Sequence, residues 1–296
     1  MKRKKRLHMI WIVCMAVVSL IILLPILVMI LTSFKTTGEI NSPVFHFLPE
    51  SLNLDNYKAA MNLDNYKAAM STGSWLIYFR NSLVITLISI VFSLLFNSVA
   101  GYAFARLHFK GSKVLFTLLL VGLMMPPQVT MLPTFLIMAR FPLIGGNDIL
   151  GFGGSGLMNT FPGVIIPLVS GSFGVFLSKQ FYENFPRSLD EAAMLDGAGK
   201  WKTYFYIYLP NSKVILATLA LLKGSSVWND YLWPLVMTNS VNMRTVQLAL
   251  TMFRDESTVR WGPMMAAATL ISLPMILLFL CAQKYFVQGV VSTGIK

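Results

Sequence analysis

The chain has 296 residues, room for one large or two ordinary soluble domains, but 55% of them are hydrophobic, 12% are charged and mean hydropathy is +0.66. That balance excludes an ordinary soluble enzyme. The formal net charge of +12 gathers at the ends of apolar runs, without a basic stripe carrying base-stacking aromatics, which argues against nucleic acid as a partner.

Other chemistries fall away as quickly. Cys14 and Cys281 both lie in apolar runs, and His8, His46 and His108 are scattered, so neither a disulfide framework nor a metal-ligand spacing is present. No G-x-x-x-x-G-K-[S/T] occurs. Gly199-Lys200 is followed by Trp201, so the chain carries no ATP-binding P-loop. No G-x-S-x-G occurs either.

In chain order, a basic N-terminus, 1–8, with KRKKR at residues 2–6, leads into an apolar run from 9 to 32. This run is too long for a signal core and lacks an A-x-A site, so it is predicted to be an uncleaved first span, kinked at Pro25. An outer segment, 35–75, contains an exact tandem repeat, NLDNYKAAM at 53–61 and again at 62–70. Each copy suits about two helical turns, and the duplication is expected to have no role of its own. Further spans are predicted near 77–105, 114–138, 161–177, 214–238 and 264–286, each close to the roughly 20 residues that cross a bilayer as helix. Pro126, Pro127 and Pro133 interrupt the third span, and Ser170, Gly171, Ser172 and Gly174 form a small-residue cluster in the fourth. The segment 141–160 is Gly-rich and irregular. The segment 239–262 mixes Arg244, Arg254, Asp255, Glu256 and Arg260, which suits a docking surface or a solvated loop. The whole reads as a permease domain over 9–288 with a short tail, 289–296. With the N-terminus inside, fifteen cations fall on inner segments and eight on outer ones. Both termini and the 178–213 loop are therefore expected to be cytoplasmic, in a multi-pass plasma-membrane protein.

The most informative segment is EAAMLDGAGKWKTYFYIYLP, Glu191 to Pro210. Ser188-Leu189-Asp190-Glu191 has the S-x-x-E spacing of a capping box after Pro186, which predicts a helix beginning near Ser188. Gly197 and Gly199 break it. Trp201, Tyr204, Phe205 and Tyr208, at i, i+3, i+4 and i+7, predict a second short helix with one aromatic docking face. Pro210 ends or redirects it.

This spacing, E-A-A, three residues, Gly, nine residues, I-x-L-P, resembles the signature loop in membrane subunits of binding-protein-dependent ABC importers. Gly101–Arg106, GYAFAR, Trp228–Pro234, WNDYLWP, and the ending QKYFVQGVVSTGIK from Gln283 resemble the carbohydrate-uptake branch of the maltose-permease type. The resemblance implies an all-α polytopic membrane protein of about six transmembrane helices, the membrane domain of a type I importer, and not an enzyme. It implies a second homologous permease, two ATP-binding subunits that hold ATP and Mg, and an extracellular solute-binding protein delivering a carbohydrate, an oligosaccharide by this branch. The chain itself would hold no cofactor. Within a coupling loop of 181–210, Glu191, Ala192, Ala193, Asp196, Gly197, Leu209 and Pro210 would meet the ATPase. Asn211, Ser212 and Lys213 stand where family members often carry a second proline.

In span five, Lys223 and Asp230 are expected on one helix face two turns apart, with Trp228, Asn229 and Tyr231 nearby, a polar and aromatic set suited to a sugar pathway. An aromatic belt at the outer interface is the other reading of these residues. The alternative function is a secondary transporter or channel for a small polar solute without an ATPase, but no inverted repeat is visible.

Overall fold

A computed structural model describes residues 2–44, 46–61, 75–254 and 259–293. Among them the chain is helical, with one isolated bridge between Arg254 and Val259. Three helices are long and apolar enough to cross a membrane, and there are six spans if each bent pair counts as one. The chain divides into two compact units, Met1–Thr72 with Leu250–Leu273, and Gly73–Ala249 with Pro274–Lys296.

In the first unit, α1 (Lys2–Ser33) runs through Pro25 as one continuous helix and exposes most of its apolar side chains. After it comes the short α2 (Thr37–Ile40). Thr36 accepts from the Glu39 amide at 3.3 Å, while the Glu39 carboxylate accepts from the Thr36 amide at 2.6 Å, a complete capping box. The first repeat copy forms α3 (Asp55–Met61), as its pattern predicts. Asn56 donates to the Ser33 and Lys35 carbonyls at 3.0 and 2.5 Å, and Tyr57 meets Ser33 at 2.7 Å, so this copy is tied into the fold. The second copy, 62–70, lies outside the described residues, as do Asp255 and Glu256.

The second unit is built around α4 (Trp75–Arg106). Most of its buried face is polar or small, Asn81, Ser82, Thr86, Ser89, Ser93, Asn97, Ser98 and Gly101, set among Tyr78, Ile85, Ile90 and Tyr102. In a bilayer the lipid tails compete equally for apolar side chains. Helices there associate through close backbone approach and interhelical hydrogen bonds, which small residues permit. Asn97 shows both. It accepts from the Ser170 hydroxyl and the Gly171 amide at 3.4 and 3.3 Å, and a Cβ at Gly174 would collide with it. A Cβ at Gly101 would collide with Ser178 and the Lys179 backbone. The buried hydroxyls of Thr86, Ser89 and Ser178 find no partner among the described residues; these side chains serve close approach.

The third expected span is two helices, α5 (Ser112–Met124) and α6 (Pro127–Ala139), bent by 109° where Pro126 and Pro127 interrupt the hydrogen-bond ladder. The fourth is α7 (Phe161–Ile165), a 3₁₀ turn at 166–168, and α8 (Ser172–Glu183), bent by 42°. The Gly-rich segment between α6 and α7 is ordered by two side chains. Asn147 donates to the Ala139 and Phe141 carbonyls and accepts from the Gly154 amide, while Asp148 accepts from Leu150 and Phe152. α8 makes the largest contact with α4. Then come α9 (Ser188–Leu195), α10 (Lys200–Thr203) and α11 (Lys213–Trp228). α12 (Leu232–Met237) and α13 (Val246–Ala249) complete the unit's short helices. The final helix, α14 (Trp261–Thr293), covers the sixth expected span.

Candidate functional site

The hairpin of α9 and α10 begins at Ser188 as predicted, but not through the S-x-x-E box. Arg187 is the N-cap, at φ −66° and ψ −24°, and no side chain caps the helix. The Asp190 and Glu191 amides bond to the Arg187 carbonyl at 3.0 and 3.1 Å. A capping hydroxyl works from an extended residue just before the helix; Ser188 is already its first helical residue. The turn is at Gly197, whose φ of +71° is left-handed and costs an L-residue energy. Gly199 is extended and starts α10.

The second aromatic helix also differs from its expectation. After α10, residues Tyr204–Tyr208 form a π-helix, with the Leu209 amide bonding to the Tyr204 carbonyl at 2.8 Å. The extra residue per turn splits the expected single face. Tyr204 and Tyr208 turn inward and are fully buried, while Trp201 and Phe205 stack outward at 6.1 Å and remain exposed. Pro210 then opens a 3₁₀ turn, and the chain redirects by 45° into α11.

Inward, the hairpin is fastened to α4 and α8. Tyr102, Tyr182, Tyr204 and Tyr208 form one buried cluster with ring centroids 5.0–6.1 Å apart. Ser98 meets the Tyr182 hydroxyl at 2.6 Å and the Tyr204 hydroxyl at 2.9 Å, and Ser212 donates to Tyr182 at 3.1 Å. One tyrosine on α8 thus joins α4, the π-helix and the start of α11. Arg106, nearly buried at the end of α4, pairs with Asp190 at 3.3 Å and donates to the Tyr182 and Phe185 carbonyls. Tyr208 donates to the same Asp190 carboxylate at 2.9 Å. Asp190 therefore accepts from two elements at once, with its charge compensated by Arg106.

Outward, the hairpin presents Glu191, Ala192, Asp196 and Gly197 on the surface beside exposed Met194, Leu195, Trp201, Phe205 and Tyr206. Leu195 is 90% exposed, which in a folded hairpin calls for a cover. Ala193 is buried, Leu209 half-buried and Pro210 exposed. The expected coupling residues are thus close together, but Ala193 faces inward.

The span-five set is dispersed. α11 stops at Trp228, and Asp230 lies beyond it in the break before α12, where its carboxylate accepts from the Trp233 amide at 3.2 Å. Lys223 and Asp230 consequently do not share a helix face; short polar side chains favour ending a helix and capping the next. Trp228 is buried against Phe79, at 6.3 Å between centroids, and serves packing. Asn229 donates to the Ser225 carbonyl and accepts from Gln247 at 3.2 Å. Tyr231 is half-buried in the same break. Lys223 is half-buried on α11, with no carboxylate within ion-pair distance among the described residues. Asp230 of this set lines a cavity of about 450 Å³ between α6, the 3₁₀ turn at 166–168, α11 and α12. It is joined there by Gln128, Thr130, Thr134, Ser226 and Trp233. Sequence reasoning passed over Gln128, Thr130 and Thr134, which stand singly in a proline-rich stretch, and Ser226, an uncharged neighbour of Ser225.

With this geometry in place, comparison with known proteins decides the family. A family model described as "binding-protein-dependent transport system inner membrane component" matches residues 97–292. The chain belongs to that family. The arabinooligosaccharides transport system permease protein AraQ of Halalkalibacterium halodurans is 32% identical over 300 residues, covering 100% of both chains. The probable starch degradation products transport system permease protein AmyC of Thermoanaerobacterium thermosulfurigenes is 32% identical over 284 residues, covering 95% of this chain and 94% of its own. Among solved structures, a bacterial ABC transporter involved in the import of the acidic polysaccharide alginate matches with a TM-score of 0.77. It covers 97% of this chain and 98% of its own at 21% identity, a likeness of fold. This inner membrane component is accordingly an all-α, multi-pass membrane protein with the fold of a type I ABC importer membrane domain. The family match begins at Asn97, so it takes in the end of α4, the tyrosine cluster and the hairpin.

Proposed function

We propose that this permease imports an oligosaccharide as one of two homologous membrane subunits, with its termini and the 181–210 hairpin in the cytoplasm. Two ATP-binding subunits, which hold ATP and Mg, dock on the hairpins of the pair, and an extracellular solute-binding protein delivers the sugar. The names of its relatives AraQ and AmyC support the substrate class. The excess of cations on inner segments supports the orientation.

One observation carries the mechanism: the hairpin has two unlike sides. Its outer edge exposes Met194, Leu195, Trp201, Phe205 and Tyr206 among charges of both signs, an apolar and aromatic patch with a charged rim that suits a docking surface. Its inner edge is fastened by Asp190, Arg106 and Tyr208 to α4 and by Tyr182 to α8 and α11. A displacement imposed on Glu191 and Leu195 by a moving ATPase is therefore passed to three helices without slack. A stand-alone transporter would give that exposed edge no purpose. The sugar's route passes the cavity lined by Gln128, Thr130, Thr134, Ser226 and Asp230, whose hydroxyl, amide and carboxylate groups replace water on sugar hydroxyls.

The test is purification from the native membrane. A nucleotide-binding subunit should co-purify, and ATP hydrolysis by the complex should rise with sugar-loaded binding protein. A cysteine replacing Gly199 should be shielded from impermeant thiol reagents in intact cells. Labelling of that cysteine from outside overturns the orientation, and a complex without an ATPase overturns the mechanism.

A further inference from the structure

A second cavity, of about 580 Å³, opens where α4 ends and α5 begins. Its walls are built. Phe104 packs on Phe109 and Phe116 at 5.7 and 5.5 Å between centroids, and Phe116 stacks on Phe176 of α8 at 6.5 Å. The Lys179 ammonium lies 4.5 Å from the Phe116 ring centroid and donates to Glu183 at 2.5 Å, so that pair is neutral within itself. His108, Lys110 and Lys113 also line the cavity. Among the described residues neither Lys110 nor Lys113 has a carboxylate within ion-pair distance.

What continues from the cavity along α5 is apolar except for Thr117, whose hydroxyl is bonded back to the Lys113 carbonyl at 2.9 Å. None of the residues of α5 is buried, and Val114, Leu115, Leu118 and Val121 are each at least 50% exposed. At 1.5 Å per residue α5 offers about 20 Å of such surface, the scale of one leaflet of hydrocarbon. The protein therefore places two uncompensated cations, in a walled pocket, at the head of an apolar track. That is the complement of an anionic amphiphile. A retention signal for membrane orientation needs charge alone and leaves the aromatic wall unexplained; a soluble acidic segment leaves the apolar track unexplained.

We infer that this cavity is a binding site for an anionic phospholipid, its phosphate held by Lys110 and Lys113 and its acyl chains laid along α5. The inference goes beyond the transport reading and rests on it only for naming the cytoplasmic leaflet. Basic pockets at helix ends on that side hold anionic headgroups by the same attraction.

The complex, extracted in mild detergent, is titrated with phosphatidylglycerol and with phosphatidylcholine, and bound lipid is counted by native mass spectrometry. Phosphatidylglycerol should bind in preference. The K110Q/K113Q double variant should bind it about thirty-fold more weakly, while K110R/K113R restores it. Equal affinity of wild type and K110Q/K113Q for phosphatidylglycerol overturns the site. Full displacement of the lipid by inorganic phosphate reassigns it to a small anion. Loss of the ATP-binding subunit from K110Q/K113Q in lipid-free detergent reassigns the face to that partner. The lipid count itself needs no ATPase, so failure of the transport reading leaves that arm of the test intact.

Discussion

Arg106, the last residue of α4, meets Asp190, in the first turn of α9, at 3.3 Å, and Tyr208 donates to the same carboxylate at 2.9 Å. The guanidinium side chain is 6% exposed and the carboxylate 29%. Removing one partner leaves the other charge largely desolvated, at a cost of about 1–3 kcal/mol once the partial exposure of Asp190 is discounted. Asp190→Ala should insert and assemble but lose most of the stimulation of ATP hydrolysis by loaded binding protein. Asp190→Asn, which still accepts from Tyr208, should keep part of it. Stimulated and basal hydrolysis measured on both variants decides the matter; wild-type stimulation in Asp190→Ala removes the pair from coupling.

Gly197 offers a cleaner separation of backbone from contact. A Cβ there meets nothing within 4 Å, yet φ is +71°. The cost of substitution is therefore conformational, about 1–2 kcal/mol for most L-residues and more for a β-branched one. Asn tolerates this region best. Uptake should be near normal in Gly197→Asn and severely reduced in Gly197→Val, with the ATPase lost from the purified Gly197→Val complex. Equal uptake in the two variants contradicts a rigid turn.

How much of this was readable beforehand follows from where the information lies. The long apolar runs and the spacing from Glu191 to Pro210 are local, and they located α1, α4, α14 and the hairpin. Arg106, Asp190, Tyr182 and Ser98 are ordinary residues far apart in sequence, and only the packing of α4 against α8 makes them a cluster. Trp228 looked like pathway because it adjoins Asn229 and Asp230 in sequence. The helix ends there and turns it into the core. The aromatic face at 201–208 failed for a related reason: i, i+3, i+4, i+7 spacing presumes 3.6 residues per turn, and a π-helix abolishes it. The Gly-rich segment was read as irregular because the hydrogen bonds of Asn147 and Asp148 leave no periodic trace.

Asp230 joins two roles, acceptor for the Trp233 amide in the first turn of α12 and wall of the 450 Å³ cavity. Asp230→Asn keeps an oxygen for the Trp233 amide and removes the charge. Asp230→Ala removes both, and loss of a cap costs about 1 kcal/mol. Sugar uptake should fall in both variants, while thermal stability falls only in Asp230→Ala. If uptake follows stability and Asp230→Asn transports normally, the residue is a cap alone.

Glu39 gives a pH dependence with a definite sign. Its carboxylate accepts from the Thr36 amide and hydroxyl and from the Glu50 amide, which holds its pKa below the usual carboxylate value. A depressed folded-state pKa means that this contribution is present above the ordinary carboxylate pKa. It is lost as pH falls through the folded value. Proteolysis of the 35–52 segment in right-side-out vesicles should accelerate in acid. Glu39→Gln should be cut faster at neutral pH and show a flatter pH profile.

The contact of Gly101 with Ser178 and the Lys179 backbone has a mechanical consequence. Two helices that touch backbone to backbone, with Asn97 pinned to Ser170 and Gly171 one turn away, have no layer of side chains to slide upon. Shear between α4 and α8 is blocked, so they swing as one lever with the hairpin riveted to its end. Bending is easiest where the helical hydrogen bonds already stop: at Met125–Pro126, between α7 and α8, at Pro210 and at Asn229–Tyr231. The breaks at Met125–Pro126 and Asn229–Tyr231 adjoin the cavity that holds Asp230, so bending at either would reshape the cavity proposed as the sugar's route.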